Sequence, residues 1–395
     1  MLPLDGVRVL AVEQYGAGPY GTMFLADLGA EVIKIENPND GGDMARDVGP
    51  YFFADGDSQF FQSFNRNKKS LTIDLTRDAG QGVLHDLAAT ADALACNLRG
   101  DVPDKLGLTY DRLRRANSRI VCAHLTAYGR TGPRAGWPGF DYLMQAEAGY
   151  FSLTGEPGGP PARCGLSIVD LMTGVGLGLA LVSALVQARA TGLGRDIDVS
   201  LFDMALGNLC YLATWHLNQG VVTGREPRSA HPSLTPCQLY RTADGWIYIM
   251  CNKEKFWGVL CQALDRPDWA EDARFRRFKD RLAQRELLTE MLDEALSART
   301  TAEWLERFAG KVPAAPIHDL AQALANPLVT DGGRLMTVTR ADGSSFRMLA
   351  PSIRCSGDPP PARAAPALGA DTDAVLGELG YDKARIAELH RQQVI

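Results

Sequence analysis

At 395 residues the chain is longer than one hydrophobic core usually supports, so two domains are the first expectation. Its 46 % hydrophobic and 22 % charged residues suit a globular protein in water, and a net charge of -6 gives no general attraction to nucleic acid or acidic membranes. The eight Cys include no C-x-x-C pair and the six His show no paired ligand spacing, which argues against zinc and redox motifs, so no metal is expected.

The N-terminus, Met1 to Asp5, lacks a basic segment followed by an apolar one, so no secretion signal is read and a cytoplasmic location follows by default. Val7 to Glu13 reads as a buried strand, Gly16 to Gly21 opens a helix running to Gly29, and Glu31 to Glu36 is a second strand. This βαβ start carries G-x-G-x-x-G with an acidic residue ending the next strand, the pattern of a dinucleotide site. Pro19 removes an N–H from that turn, and a plain tight strand-to-helix turn accounts for the same glycines.

A polar loop, residues 37–58, leads to Phe60, Phe61 and Phe64 beside Asn65, Arg66, Asn67, Lys68 and Lys69, ahead of a strand from Ser70 to Leu75. Cations and amides next to aromatics at a strand edge suit phosphate and a stacked base, or equally a solvated turn. A helix (79–89), a strand (92–97) and another strand (120–126) follow, and the loops Leu98-Arg99-Gly100, Lys105 to Gly107 and Tyr128 to Pro133 leave this region. In open α/β sheets ligands bind beyond the carboxyl ends of strands, where such loops converge.

Asp170 then stands before a segment, Leu171 to Gln187, that contains no charge, is shorter than the ~20 residues of a membrane span and reads as a helix packed on most of its sides. An Asp there either caps the helix or serves as a nucleophilic or acid/base carboxylate. A strand (194–201) and a helix (205–218) follow. A hairpin, Gln238 to Thr242 with Trp246 to Met250, opens a smaller α+β region with helices over 255–264, 280–297 and 301–310. A β-rich return (334–340, 345–349), a Pro-rich stretch (358–361) and final helices over 372–392 complete the chain. The expected organisation is a Rossmann-like α/β large domain with a parallel sheet (1–205), a linker (206–225), a small α+β domain (226–327), a linker (328–345) and a return to the large domain (346–395).

In this order the chain resembles the class III CoA-transferases, the family that includes formyl-CoA transferase and carnitine CoA-transferase. The pieces that carry the likeness are Leu4 to Leu10, Ala17-Gly18-Pro19, Leu28 to Glu36, Asn65 to Ser70, His231-Pro232, Thr242 to Gly245, Val312 to Pro316, Leu368 to Thr372 and Leu389-His390. The resemblance implies that Asp170 is the catalytic aspartate, forming a mixed anhydride and then an aspartyl-CoA thioester as CoA moves from an acyl-CoA to a free carboxylic acid. It implies coenzyme A thioesters as substrates, no permanently bound cofactor and an interlocked homodimer with linkers near Gly220 and Asp331. Tyr15, Gly16 and Ala17 match positions lining the thiol end, Asn67, Lys68 and Lys69 the nucleotide end, Asn97, Leu98 and Lys105 other CoA contacts, and Tyr128 an aromatic near the reactive centre. Charge and placement add Lys34, Arg66 and Arg99 as phosphate candidates.

Two departures from formyl-CoA transferase argue against oxalate and formate: Gly16 stands where that enzyme has a glutamine, and Asn252 to Lys255 follow the hairpin where it has a polyglycine loop. Lys253, Lys255 and Arg228 are either cations for the second carboxylate of a succinyl-type donor or ordinary solvated side chains. The rival readings are an α-methylacyl-CoA racemase on the same fold, for which His124 is the nearest histidine, a nicotinamide-dependent dehydrogenase, and a CoA-binding scaffold without catalysis.

Overall fold

The computed structural model describes residues 1–356 and 361–395, so Asp358, Pro359 and Pro360 of the Pro-rich stretch lie outside the described residues. The chain divides into two units, one of Met1–Ala148, Gly165–Cys210 and Leu328–Ile395, the other of Gly149–Cys164 and Tyr211–Pro327. Residues 149–164, expected with the large domain, therefore belong to the second unit, and the stretches read as linkers carry structure of their own.

In the first unit the chain runs β1 (Arg8–Val12), α1 (Ala17–Asp27), β2 (Glu31–Glu36), α2 (Gln59–Asn65), β3 (Lys69–Thr72), α3 (Asp78–Thr90), β4 (Ala93–Cys96), β5 (Val121–Thr126), α4 (Asp141–Glu147), α5 (Ile168–Thr191) and β6 (Arg195–Ser200). The strands form one sheet in the order β3-β2-β1-β4-β5-β6, and every neighbouring pair is parallel. Strands such as Ala93–Cys96 and Val121–Thr126 are buried at every position, as a parallel sheet covered on both faces requires. Strand order reverses between β1 and β4, which opens a crevice at their carboxyl ends. One face is filled by Leu10, Ile33, Leu71, Leu84, Leu87 and Leu94, joined by Val375, Leu376, Ile386 and Leu389 from the C-terminal helices Thr372–Glu378 and Lys383–Arg391.

In the first unit α2 and α5 differ from expectation. α2 occupies residues read as a strand edge, with Ser58 accepting the Phe61 N–H at 2.9 Å. α5 is 24 residues long and apolar enough by length and composition to cross a membrane, beyond the shorter run expected. Its buried residues Thr173, Leu177, Leu181, Ala184 and Ala188 recur at helical spacing, which is how a helix packs one face into a core.

The second unit holds an antiparallel sheet in the order Ala314–Pro316, Trp246–Met250, Cys237–Arg241 over a core that includes Trp257, Phe275, Leu288, Trp304 and Phe308. The expected helix over 280–297 is two, Phe278–Ala283 and Arg285–Leu296, because Gln284 leaves helical geometry at φ -117°. The helix expected over 205–218 also splits, into Leu201–Asn208 and Cys210–Gln219.

α1 crosses α5 at two glycines. A Cβ on Gly21 would lie 2.3 Å from the Gly174 carbonyl oxygen, and one on Gly174 would lie 2.4 Å from the Ala17 carbonyl oxygen. Gly21→Ala or Gly174→Ala should therefore lower unfolding stability by about 2–3 kcal/mol through overpacking. Gly82→Ala, on α3 with nothing within 4 Å of its Cβ, should raise it by about 0.5–1 kcal/mol. Urea denaturation of the three variants checks both signs.

Candidate active site

A cleft of about 380 Å³ opens at the strand-order reversal. Its walls are Gln14 to Ala17 after β1, Asn97 to Arg99 after β4, Leu125 to Ala127 at the end of β5, and the loop from Trp137 to Phe140. Asp170 faces it from α5, with Met44, Val102 and Leu201 completing the lining. A second crevice of about 150 Å³ runs beyond the ends of β1, β2 and β3 and shares Gln14 and Leu98 with the first.

Asp170 lies within the first turn of α5, three residues after the N-cap Ser167, and not ahead of the helix. It does not cap: its own N–H donates to Asp141 Oδ2 at 2.9 Å, and among the described residues no hydrogen bond engages its carboxylate. Asp141, on α4, is buried and its other oxygen accepts from Gln145 Nε2 at 2.5 Å. Burial first, and the Asp141 charge second, push the Asp170 carboxyl up to about 7. The carboxylate is half-buried, uncommitted and more basic than an ordinary aspartate. Gly16 leaves one side of it open, since a Cβ there would already be 3.5 Å from Asp170 Oδ2.

The loop before α1 is held from two directions. Gln14 N–H donates to Asn97 Oδ1 and Asn97 Nδ2 donates back to the Gln14 carbonyl, each at 2.7 Å. Tyr15, in the left-handed region at φ 66°, donates its N–H to Asp43 Oδ1 at 2.9 Å. Among the described residues no hydrogen bond engages the N–H groups of Gly16 and Ala17.

Of the residues singled out in the sequence, the structure brings Tyr15, Gly16, Ala17, Asn97, Leu98, Arg99 and Asp170 to the cleft. Lys105 is exposed nearby and bonds Asp101 at 2.7 Å. Tyr128 donates to Glu147 Oε2 at 2.8 Å and sets its ring edge-on to Trp137, which lines the cleft. The remaining cations are not at the cleft. Lys34 is fully buried, donating to the Glu13 carbonyl and pairing with Asp43 at 2.8 Å each, so it has no charge to offer a phosphate. Arg66 is buried against Asp27, at 2.6 Å through Nη2, and Asn67 donates to the same carboxylate at 2.8 Å. Lys68 is buried against Glu13 at 2.7 Å, and desolvation brings its ammonium down to about 8. Lys69 pairs with Glu31 at 2.5 Å and with Glu378.

Sequence reasoning missed Asp43, Asp141, Trp137 and Phe140. The run Trp137-Pro138-Gly139-Phe140-Asp141, two aromatics and a carboxylate in a loop following a buried strand, was the available signal for three of them.

The rival chemistries lack their parts. Glu36, the acidic end of the dinucleotide pattern, is committed to Arg46 at 2.8 and 2.7 Å and to Ser70 Oγ at 2.6 Å, and Gly21 is required by helix packing. His124 is fully buried, 3.2 Å from Cys96 Sγ and 2.7 Å from Asp196 Oδ1. That order resembles a nucleophile–base–orienter triad, yet it lies inside the sheet and burial pushes the Cys96 thiol up to about 12. Among the described residues no group of three or more His, Cys, Asp or Glu is placed to hold a metal.

Residues 4–372 match the model of CoA-transferase family III. The succinate–glutarate CoA-transferase of Agrobacterium fabrum is 32 % identical over 95 % of this chain and 96 % of its own. The acetyl-CoA:oxalate CoA-transferase of Acetobacter aceti is 36 % identical over 85 % and 87 %. The crystal structure of a CAIB/BAIF family protein from Brucella suis superposes with a TM-score of 0.79 at 32 % identity, covering 96 % of this chain and 99 % of that one. The nearly full-length match, carried by relatives above 30 % identity, establishes that the chain belongs to CoA-transferase family III and is a CoA-transferase.

Proposed function

We propose that the enzyme moves CoA from a dicarboxylyl-CoA of the succinyl type to a free carboxylic acid, with Asp170 as covalent nucleophile. The observation that carries this reading is the Asp170 carboxylate itself: half-buried, free of hydrogen bonds among the described residues and set at the cleft of a parallel sheet. An Asp170 oxygen attacks the thioester carbonyl, the C–S bond breaks, and CoA leaves as thiolate with a mixed anhydride on Asp170. The thiolate then attacks the Asp170 acyl carbon, releasing the donor's carboxylate and leaving an aspartyl-CoA thioester. The acceptor carboxylate attacks that thioester, and the thiolate returns to the acceptor's acyl carbon to give the new acyl-CoA and free Asp170. The uncommitted N–H groups of Gly16 and Ala17, at the positive end of α1, are the donors we assign to each developing oxyanion.

CoA would run from the cleft along Leu98 into the second crevice, with the exposed Lys105 as a phosphate contact. Dicarboxylic acids are favoured because succinate, glutarate and oxalate appear in the names of the two relatives. Oxalate therefore belongs among the acceptors to be assayed, despite Gly16. For the donor's second carboxylate, Arg99 is the cation lining the cleft. Arg228 is already paired with Asp293 at 2.7 Å, and Lys255 lies over the Phe256 ring. Val175, Leu179 and Val186 form an exposed apolar stripe on α5, between 50 % and 69 % accessible, for which we propose a second copy of the chain as the cover.

Asp170→Asn should abolish transfer between succinyl-CoA and glutarate while CoA binds within about threefold of wild type. Hydroxylamine added during turnover should modify wild-type Asp170, read by peptide mass mapping. Detectable transfer by the Asn variant, or modification elsewhere, would refute the mechanism. Saturating turnover with acetyl-CoA but none with succinyl-CoA would remove the dicarboxylyl donor.

Because the nucleophile must be ionised, kcat/KM should rise with pH through about 7. The stability effect has the opposite sign. The folded-state carboxyl titrates above its unfolded value, so the native state holds an extra proton between roughly pH 4 and 7 and loses that advantage as pH rises. The Tm of Asp170→Asn should therefore exceed wild type by more at pH 8 than at pH 4, in calorimetry at both values.

Sedimentation equilibrium should give a dimer for wild type. Leu179→Lys with Val186→Lys should shift it to monomer; a wild-type monomer at micromolar concentration would remove the proposed partner.

A further inference from the structure

Asp43 takes no part in the chemistry above and lies in the polar loop between β2 and α2, where it lines the second crevice and not the catalytic cleft; it is only 2 % exposed, and both carboxylate oxygens are turned to protein partners. Its Oδ1 accepts the N–H groups of Tyr15 and Ala45, both at 2.9 Å. Its Oδ2 lies 2.8 Å from Lys34 Nζ. Its own N–H donates to Glu36 Oε1, a carboxylate locked by Arg46. The group that Asp43 holds is Tyr15, whose left-handed backbone is strained for a non-glycine residue and persists only where its surroundings impose it. That conformation sets the direction of the next two peptide planes, which carry the free N–H groups beside Asp170. Asn97 fixes Gln14 and leaves the rotation at Tyr15 open, and Asp43 closes it.

We infer that Asp43 is a positioning residue for the transfer reaction, acting through its hydrogen bond to Tyr15 N–H to aim the Gly16 and Ala17 N–H groups at the acyl oxygen. The inference rests on the reading of Asp170 as nucleophile. Lys34 neutralises the buried carboxylate, and among the described residues its ammonium has no other acid partner at hydrogen-bond distance. The arrangement is thus a charge pair whose outer oxygen is turned to the backbone of the catalytic loop.

The test compares two variants that both remove the charge pair and differ only in the acceptor, Asp43→Asn with Lys34→Met and Asp43→Leu with Lys34→Met. Neither leaves a buried charge unpaired, so both are expected to fold, checked by circular dichroism and Tm. In the Asn variant an amide oxygen still accepts from Tyr15, and kcat should stay within about fivefold of wild type. In the Leu variant kcat should fall about 10- to 100-fold, as expected for a reacting group displaced by about 1 Å. The dissociation constant for CoA should stay within threefold in both. Equal kcat in the two variants overturns the inference, as does a loss confined to CoA affinity, which would make Asp43 a ligand contact. Should the Leu variant fail to fold, Asp43→Ser with Lys34→Met, whose shorter side chain stops short of Tyr15, replaces it with the same expected loss. Single-turnover trapping separates the two claims: no adduct on wild-type Asp170 defeats the nucleophile, whereas an adduct forming at the wild-type rate in the acceptor-less variant defeats the positioning role alone.

Discussion

Gly21 and Gly174 meet where α1 crosses α5, with each backbone occupying the space a methyl group would need on the other. Helices ordinarily pack 8–10 Å apart because side chains separate them, and two glycines at one crossing remove that separation. Here the consequence is chemical as well as structural. The crossing lies within two turns of the start of both helices, so it brings their N-termini together and sets Gly16 against the Asp170 carboxylate. Each N-terminus contributes partial positive charge to the same few ångströms of cleft, where in the proposed mechanism an acyl oxygen carries negative charge during transfer.

Around that crossing the first unit buries an unusual set of charges: Lys34 with Asp43, Arg66 with Asp27, Lys68 with Glu13 and Arg46 with Glu36. Buried pairs contribute little net stability, because desolvating two ions offsets most of their attraction. What they supply is geometry, since a buried ion has few arrangements that satisfy it. Glu13 illustrates this: it receives Lys68 and Thr22 Oγ1, tying the strand before the 14–17 loop to the helix after it and to the chain entering β3. The loop of residues 14–17 is consequently framed by fixed partners on both sides.

This explains why the fold was legible in the sequence and much of the site was not. The βαβ opening, the buried strands and the hairpin of the second unit are local patterns, written in consecutive residues whose periodicity matches their burial. Asp170 and the loop after β1 were legible because a parallel sheet directs attention to the carboxyl ends of its strands. The cations at Arg66 and Lys68 were not, because their role is set by carboxylates 39 and 55 residues away, and a solvated cation and a buried one have the same letters. α2 was missed because Phe60, Phe61 and Phe64 are poor helix formers on local propensity; tertiary packing overrides that preference. Asp43 was invisible because it bonds a backbone N–H 28 residues away, an interaction that leaves no periodic trace.

The two acidic residues beside the cleft divide one task that a single aspartate performs at most helix starts. In a simple cap the same carboxylate stops the chain and satisfies the first turn, so its oxygens are occupied and its acidity increases. Here Asp141 satisfies the Asp170 N–H from another helix, and Asp170 is relieved of capping although it sits in the first turn. The exchange has a cost in stability, because burial first and the neighbouring Asp141 charge second raise the basicity of the carboxylate left free. A carboxylate of that kind attacks a carbonyl more readily than a solvated one, and it also makes a poorer leaving group from its own anhydride. The device therefore works only if donors at the opposite side stabilise the oxyanion in each step, which is the role available to the N–H groups of Gly16 and Ala17. The proposed nucleophile and donors come from different helices, and the glycine crossing is what fixes one relative to the other.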